Sequence, residues 1–158
     1  MEKSFSLWVD ADSCPAPARD IIIRFSKRLS LECWFVANRI ISIPKAENFH
    51  MIVTDAEKDA ADNYIVENIG QNDIAITRDI PFAARLVEKN ITIINDRGTL
   101  YNRDNISERL SLRNFNLTLF ENGIESEKTS VYGKKELNAF SNCLDREIQK
   151  KLRASQTN

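Results

Sequence analysis

The chain has 158 residues, enough for one domain with a sizeable core, and its 42% hydrophobic and 28% charged content is that of an ordinary globular protein. A formal net charge of −1 excludes a global basic field for a polyanion, so any nucleic-acid contact has to be local or bridged by a metal. One histidine excludes a His-rich zinc site, and three cysteines with no CxxC pair fit free thiols in a reducing cytoplasm.

The opening stretch, Phe5-Ser6-Leu7-Trp8-Val9-Asp10-Ala11-Asp12-Ser13-Cys14-Pro15, organises the rest. Its apolar run, short and rich in aromatic and β-branched residues, predicts a buried strand. Pro15 and Pro17 suit the first turn of a helix, where a missing N–H costs nothing. Asp10 and Asp12 therefore belong on the turn from a first strand into a helix, the edge of a parallel sheet where ligands bind. The strand begins so early that no signal peptide precedes it, and no later apolar run reaches the length of a membrane span; the expectation is a cytoplasmic protein with no membrane contact.

Ile21, Ile22, Phe25 and Leu29 predict a helix over 16–29, with Arg19, Arg24, Lys27 and Arg28 on its other side. A second strand is expected over 31–37, a short extended piece over 40–44, and a third strand over 50–54. An acidic turn, 55–59, leads to a helix over 60–69 that Gly70 stops. A fourth strand over 73–77, a helix opened by Pro81 and running to Lys89, and a fifth strand over 91–94 follow. Strands alternating with helices predict an α/β three-layer sandwich around a doubly wound, mainly parallel sheet. Beyond Gly98 the pattern changes to additional C-terminal helices: 105–121, anchored by Ile106, Leu110, Leu117 and Phe120, and 134–152, with Leu137, Phe140, Leu144 and Ile148 inward. A polar, mobile link over 123–133 separates them. Residues 1–153 form one domain in this reading and 154–158 a disordered tail.

Acids mark several of these strand ends and helix starts. Asp10 and Asp12 follow the first strand, Asp59 and Asp62 open the helix after the third, Asp79 follows the fourth and Asp96 the fifth. If the first and fourth strands are neighbours, Asp10 and Asp79 face one crevice. Two carboxylates about 5 Å apart repel by roughly 3 kcal/mol at an effective dielectric of about 20. Several stay ionised together only around a cation, or else some hold protons. All-oxygen ligands suit Mg²⁺ or Mn²⁺, which serve phosphoryl chemistry. The acids at these strand ends and helix starts are the candidate metal ligands. Arg78 and Arg97 could hold phosphate oxygens, and Asn38 and Asn63 could orient water or substrate. Against this stands capping: Asp and Asn are favoured at turns and helix starts for structural reasons alone. Cys14, between the two acids and a helix, is either a nucleophile or a packed turn residue, and packing is the simpler role.

Val9-Asp10-Ala11-Asp12-Ser13-Cys14-Pro15, Val36-Ala37-Asn38, Asp59-Ala60-Ala61-Asp62-Asn63, Ile76-Thr77-Arg78-Asp79-Ile80-Pro81, Asn95-Asp96-Arg97-Gly98 with Tyr101, and Asn105-Ile106-Ser107-Glu108-Arg109-Leu110 resemble, in order, the motifs of the YaiI/YqxD family of bacterial proteins. The resemblance runs to about Leu144. It implies a PIN-like nuclease fold that binds Mg²⁺ or Mn²⁺, with Asp10, Asp62 and Asp79 as the catalytic, metal-binding acids, Asp12 and Asp59 as added or alternative metal ligands, and RNA as substrate. The family motif usually has Ala at Ser13, and many members read Asn-Pro-Arg-Gly over 95–98, which removes Asp96 from the metal set. Two other functions compete. A non-catalytic module would bind metal, RNA or a partner through the same acids. A haloacid-dehalogenase-type phosphatase would use Asp10-Ala11-Asp12, but the Gly-Thr step after the second acid is missing. Monomer and homodimer both remain open.

Overall fold

The computed structural model describes residues 5–124 and 131–156. Six strands, β1 (Ser6–Asp10), β2 (Glu32–Ala37), β3 (Phe49–Val53), β4 (Ile74–Ile76), β5 (Thr92–Ile94) and β6 (Leu100–Tyr101), form one sheet in the order β3-β2-β1-β4-β5-β6. The first five are parallel, and β6 returns antiparallel to β5. Helices α1 (Ala16–Leu29) and α5 (Lys134–Gln156) cover one face; α2 (Ala60–Asn68), α3 (Ile80–Glu88) and α4 (Arg103–Glu121) cover the other. The three-layer α/β sandwich is therefore the architecture, and among the described residues no helix is long and apolar enough to cross a membrane.

Alternation along each strand divides the core into two clusters. Leu7, Val9, Cys33, Phe35, Ile74 and Ile76 face α1 and α5, where Ile22, Phe140, Leu144 and Ile148 are fully buried. Trp8, Val36, Ala75 and Ile93 face α2, α3 and α4, against Ile65, Phe82, Leu86 and Ile106. On that second face Trp8, Trp34 and His50 are register partners on adjacent strands and stack in a row, with ring centroids 5.1 and 3.9 Å apart. Asp73 fixes the start of β1: its carboxylate accepts from the Ser6 N–H at 2.7 Å, the Trp8 indole at 2.9 Å and the Gly70 N–H at 2.8 Å.

Several expectations need correction. Residues 40–44 form no strand; Pro44 and the exposed Ile40 leave a loop, although Ile41 is buried under it. The strand β6 was not foreseen, because two residues after a tight turn carry no periodicity. The last helix runs to Gln156, three residues into the expected tail, since Leu152 still packs on the α1 face of the core; 157–158, and 125–130 of the expected mobile link, lie outside the described residues. In α4 only Ile106 is buried as expected, while Leu117 and Phe120 are 44% and 73% exposed.

The turn between β5 and β6 is tight for a stated reason. Asn95 is buried, and its Oδ1 accepts from the N–H groups of Arg97 and Thr99, both at 2.9 Å. Gly98 has φ +83°, and a Cβ there would lie 2.5 Å from the carbonyl oxygen of Ala139 on α5. Gly98→Ala is expected to destabilise the protein by about 2–4 kcal/mol through left-handed strain and overpacking, read as a lower urea midpoint at unchanged slope.

Candidate functional site

The connection from β3 through α2 to β4 crosses over β2 and β1, so the chain changes direction between β1 and β4. At that switch point α1 leaves on one face and α3 on the other, and a crevice opens at the carboxyl ends of the two strands. Asp10 shares the parity of Trp8, and Thr77 that of Ala75, so both side chains emerge on the α2/α3 face. There Thr77 Oγ1 donates to Asp10 Oδ2 at 2.7 Å, and Ser13 Oγ reaches the same oxygen at 3.0 Å from the short 3₁₀ turn Ala11–Ser13. Asp79 caps α3, accepting from the Phe82 N–H at 3.1 Å, and its own N–H donates to Thr77 Oγ1 at 3.0 Å. Asp12 accepts from the Asn38 N–H at 2.9 Å and faces Arg39 at 3.8 Å, tying the DxD turn to the end of β2.

Asp62 and Asp59 come from the start of α2. Asp59 has φ +65°, a left-handed conformation outside glycine's usual monopoly, and its side chain makes no capping bond. Capping therefore does not account for it. A cavity of about 300 Å³ brings Asp10, Asp12, Asn38, Asp59, Asp62 and Asp79 together, with Asp55 and Glu57 from the acidic turn; Lys58 is its one basic side chain. Seven carboxylates against one ammonium leave the crevice strongly negative, in a chain whose net charge is only −1.

That charge shows in the proton affinities. Burial, then the charges of Asp10, Asp79 and Asp59, push the Asp62 carboxyl up from 3.8 to about 7. Burial also raises Asp10, against the opposing hydrogen bonds from Thr77 and Ser13 and with repulsion from Asp79 and Asp12.

The other expected site residues lie elsewhere. Arg78 and Arg97 are on the opposite side of the strand ends: Arg78 pairs with the buried Asp96, and Arg97 lies 3.7 Å from Glu136 and over the Tyr132 ring. Asn63 is exposed and accepts from Arg85 at 2.9 Å. Burial pushes the Cys14 thiol up to about 12, which removes it as a thiolate nucleophile and leaves it a packed turn residue. Sequence reasoning passed over Thr77 and Ser13 as partners of Asp10; hydroxyls two residues before Asp79 and one after Asp12 were the available signal.

The donor set is all oxygen and hard, which suits Mg²⁺ or Mn²⁺. Among the described residues no three acidic, His or Cys side chains are grouped closely enough to hold one ion, so the five expected ligands do not close into a protein cage. An ion that keeps most of its water and takes one or two carboxylates fits such a site, as Mg²⁺ commonly does.

The model of the YaiI/YqxD family, described as uncharacterised, matches residues 8–150. The chain belongs to the YaiI/YqxD family. It is 50% identical over 147 residues to a UPF0178 protein of Treponema denticola, covering 93% of this chain and 94% of the relative. A UPF0178 protein of Syntrophobacter fumaroxidans is 43% identical over 93% and 96% of the two chains, and one of Treponema pallidum 43% identical over 94% and 84%. No solved structure matches.

Asp62 also makes stability depend on pH. Between 3.8 and about 7 the folded chain keeps a proton there that the unfolded chain has released, so stability falls as pH rises through that window. Asp62→Asn is expected to flatten this slope and to raise Tm at pH 8 by about 2–4 °C, the shift given by about 1 kcal/mol in a domain of this size. Thermal melts at pH 5 and pH 8 in EDTA check it.

Proposed function

We propose that the chain is a phosphodiesterase dependent on Mg²⁺ or Mn²⁺, acting on RNA, with the acidic crevice as its active site. The observation that carries it is the convergence of Asp10, Asp62 and Asp79, from three separate elements, on one solvent-reached cavity that the chain's own cations do not neutralise. A bound divalent ion would supply the missing charge, polarise a phosphate oxygen and lower the pKa of a water.

The chain's own residues have distinct tasks in this proposal. Both hydroxyls on Asp10 converge on Oδ2, which fixes the carboxylate and leaves Oδ1 for a ligand. Asp79, held by the first turn of α3, contributes from the opposite wall. Asp62, with its proton affinity near neutrality, is the group suited to take a proton from an attacking water or return one to the leaving oxygen. Asp12 and Asp59 add negative field from the rim. The N-termini of α2 and α3 both face the crevice and offset part of the repulsion.

A dehalogenase-type phosphatase would use Asp10 as its nucleophile. The 3₁₀ turn Ala11–Ser13 and Pro15 stand where that chemistry wants a Gly-Thr step, which argues against it. The absence of a three-acid metal group among the described residues favours one other function, a module that binds without turnover.

Incubation of a structured and a single-stranded RNA with Mn²⁺ or Mg²⁺ distinguishes these. Cleavage by the wild type, lowered about 100-fold or more in Asp10→Asn, is the expected result. Equal cleavage by both proteins would falsify the proposed site, and ion binding without any cleavage would leave the binding module. Mn²⁺ is also expected to raise Tm of the wild type and to do so less in Asp62→Asn.

A further inference from the structure

The crevice changes sign along its length. Past Asp79, a cavity of about 300 Å³ that shares Lys58, Asp59 and Asp62 with the acidic one continues over Pro81 and Phe82 to Arg85 and Arg113. Arg113 also borders a groove of about 420 Å³ between Ile80, at the start of α3, and the stripe of α4 formed by Arg109, Asn116, Leu117 and Phe120. These α4 positions follow helical spacing, so one face of the helix carries guanidinium groups and then apolar side chains. Beyond Asp79 no acidic side chain among the described residues lines this path.

The arginines here differ from others near the strand ends. Arg39, Arg78 and Arg97 each face a carboxylate. Among the described residues Arg85, Arg109 and Arg113 form no ion pair; Arg85 donates to an amide oxygen and Arg109 lies 5.9 Å from the Tyr101 ring centre. All three are exposed. Next to them Phe120 is 73% exposed and Leu117 44%, and Leu112 and Phe115 of the same helix are exposed as well. Unpaired cations at intervals along a groove, interleaved with an exposed aromatic, are what a single nucleic-acid strand requires: phosphates on the cations, a base on the ring.

We propose that the groove from Asp79 over the start of α3 to Phe120 is the track that holds a single strand of nucleic acid on its way to the acidic crevice. Lys58, Arg85, Arg109 and Arg113 take phosphates, and Phe120 stacks a base. The proposal rests on the phosphodiesterase reading for its direction, but not for its existence, because the track can be occupied without turnover.

Fluorescence anisotropy with a labelled 12-nucleotide oligouridylate and the matching DNA strand, in EDTA to prevent cleavage, tests it. The wild type is expected to bind at least one of the two, and the tighter one names the sugar. The exposed double variant Arg109→Gln/Arg113→Gln is expected to bind at least about tenfold more weakly, with a salt slope reduced by about 1.4. Phe120→Ala is expected to lose about tenfold, while Asp10→Asn binds as well as the wild type or better. Wild-type affinity in the double variant, or no binding by the wild type, overturns the track. So does a wild-type dimer that Phe120→Asp splits without changing nucleic-acid affinity, which would assign the surface to a second copy. Binding through these arginines with no cleavage under Mn²⁺ keeps the track and removes the hydrolase; cleavage with unchanged KM in the double variant does the reverse.

Discussion

The direct pairing of β1 with β4 is the constraint on which everything at the site depends. Val9 lies opposite Ile76, so the next residue of each strand, Asp10 and Thr77, leaves the sheet at the same level and on the same side. A slip of one residue in either strand would turn one of the two side chains to the α1 face and break their 2.7 Å hydrogen bond. Asp73 guards against such a slip at the opposite end, where it holds both the backbone of Ser6 and the indole of Trp8. One acid of this sheet thus sets the register that presents another to solvent.

The crevice concentrates charge that folding alone has no reason to collect. Carboxylates at helix starts are ordinary, and Asp79 shows what that ordinary role looks like: it accepts from the Phe82 N–H in the first turn of α3. Asp59 makes no such capping bond, and burial, then the charges of Asp10, Asp79 and Asp59, raises the proton affinity of Asp62. Stability is given up locally at the place where a cation and a phosphate would restore it, a pattern common at functional sites.

Much of this was legible in the amino-acid order. The helix over 16–29 was bounded correctly because Pro15 and Pro17 open it and Ile22 lies on a clear stripe. The acids at strand ends announced the crevice, because the α/β alternation fixed which ends of the strands they follow. What could not be read were facts of three dimensions. Arg78 and Asp79 are adjacent in sequence, yet Asp79 caps α3 and lines the crevice while Arg78 is taken up by Asp96. The apolar spacing of α4 predicted burial for Leu117 and Phe120; periodicity reports a stripe, not what faces it, and here the sheet ends before the helix does. The two-residue strand β6 depends on an asparagine-led turn whose hydrogen bonds no pattern encodes.

The row of Trp8, Trp34 and His50 gives the molecule an optical property. These are its two tryptophans, they lie stacked within 9° of parallel, and Trp8 stands two residues before Asp10 on the same side of the same strand. Intrinsic fluorescence is therefore placed to report on events at the end of β1 with no label attached.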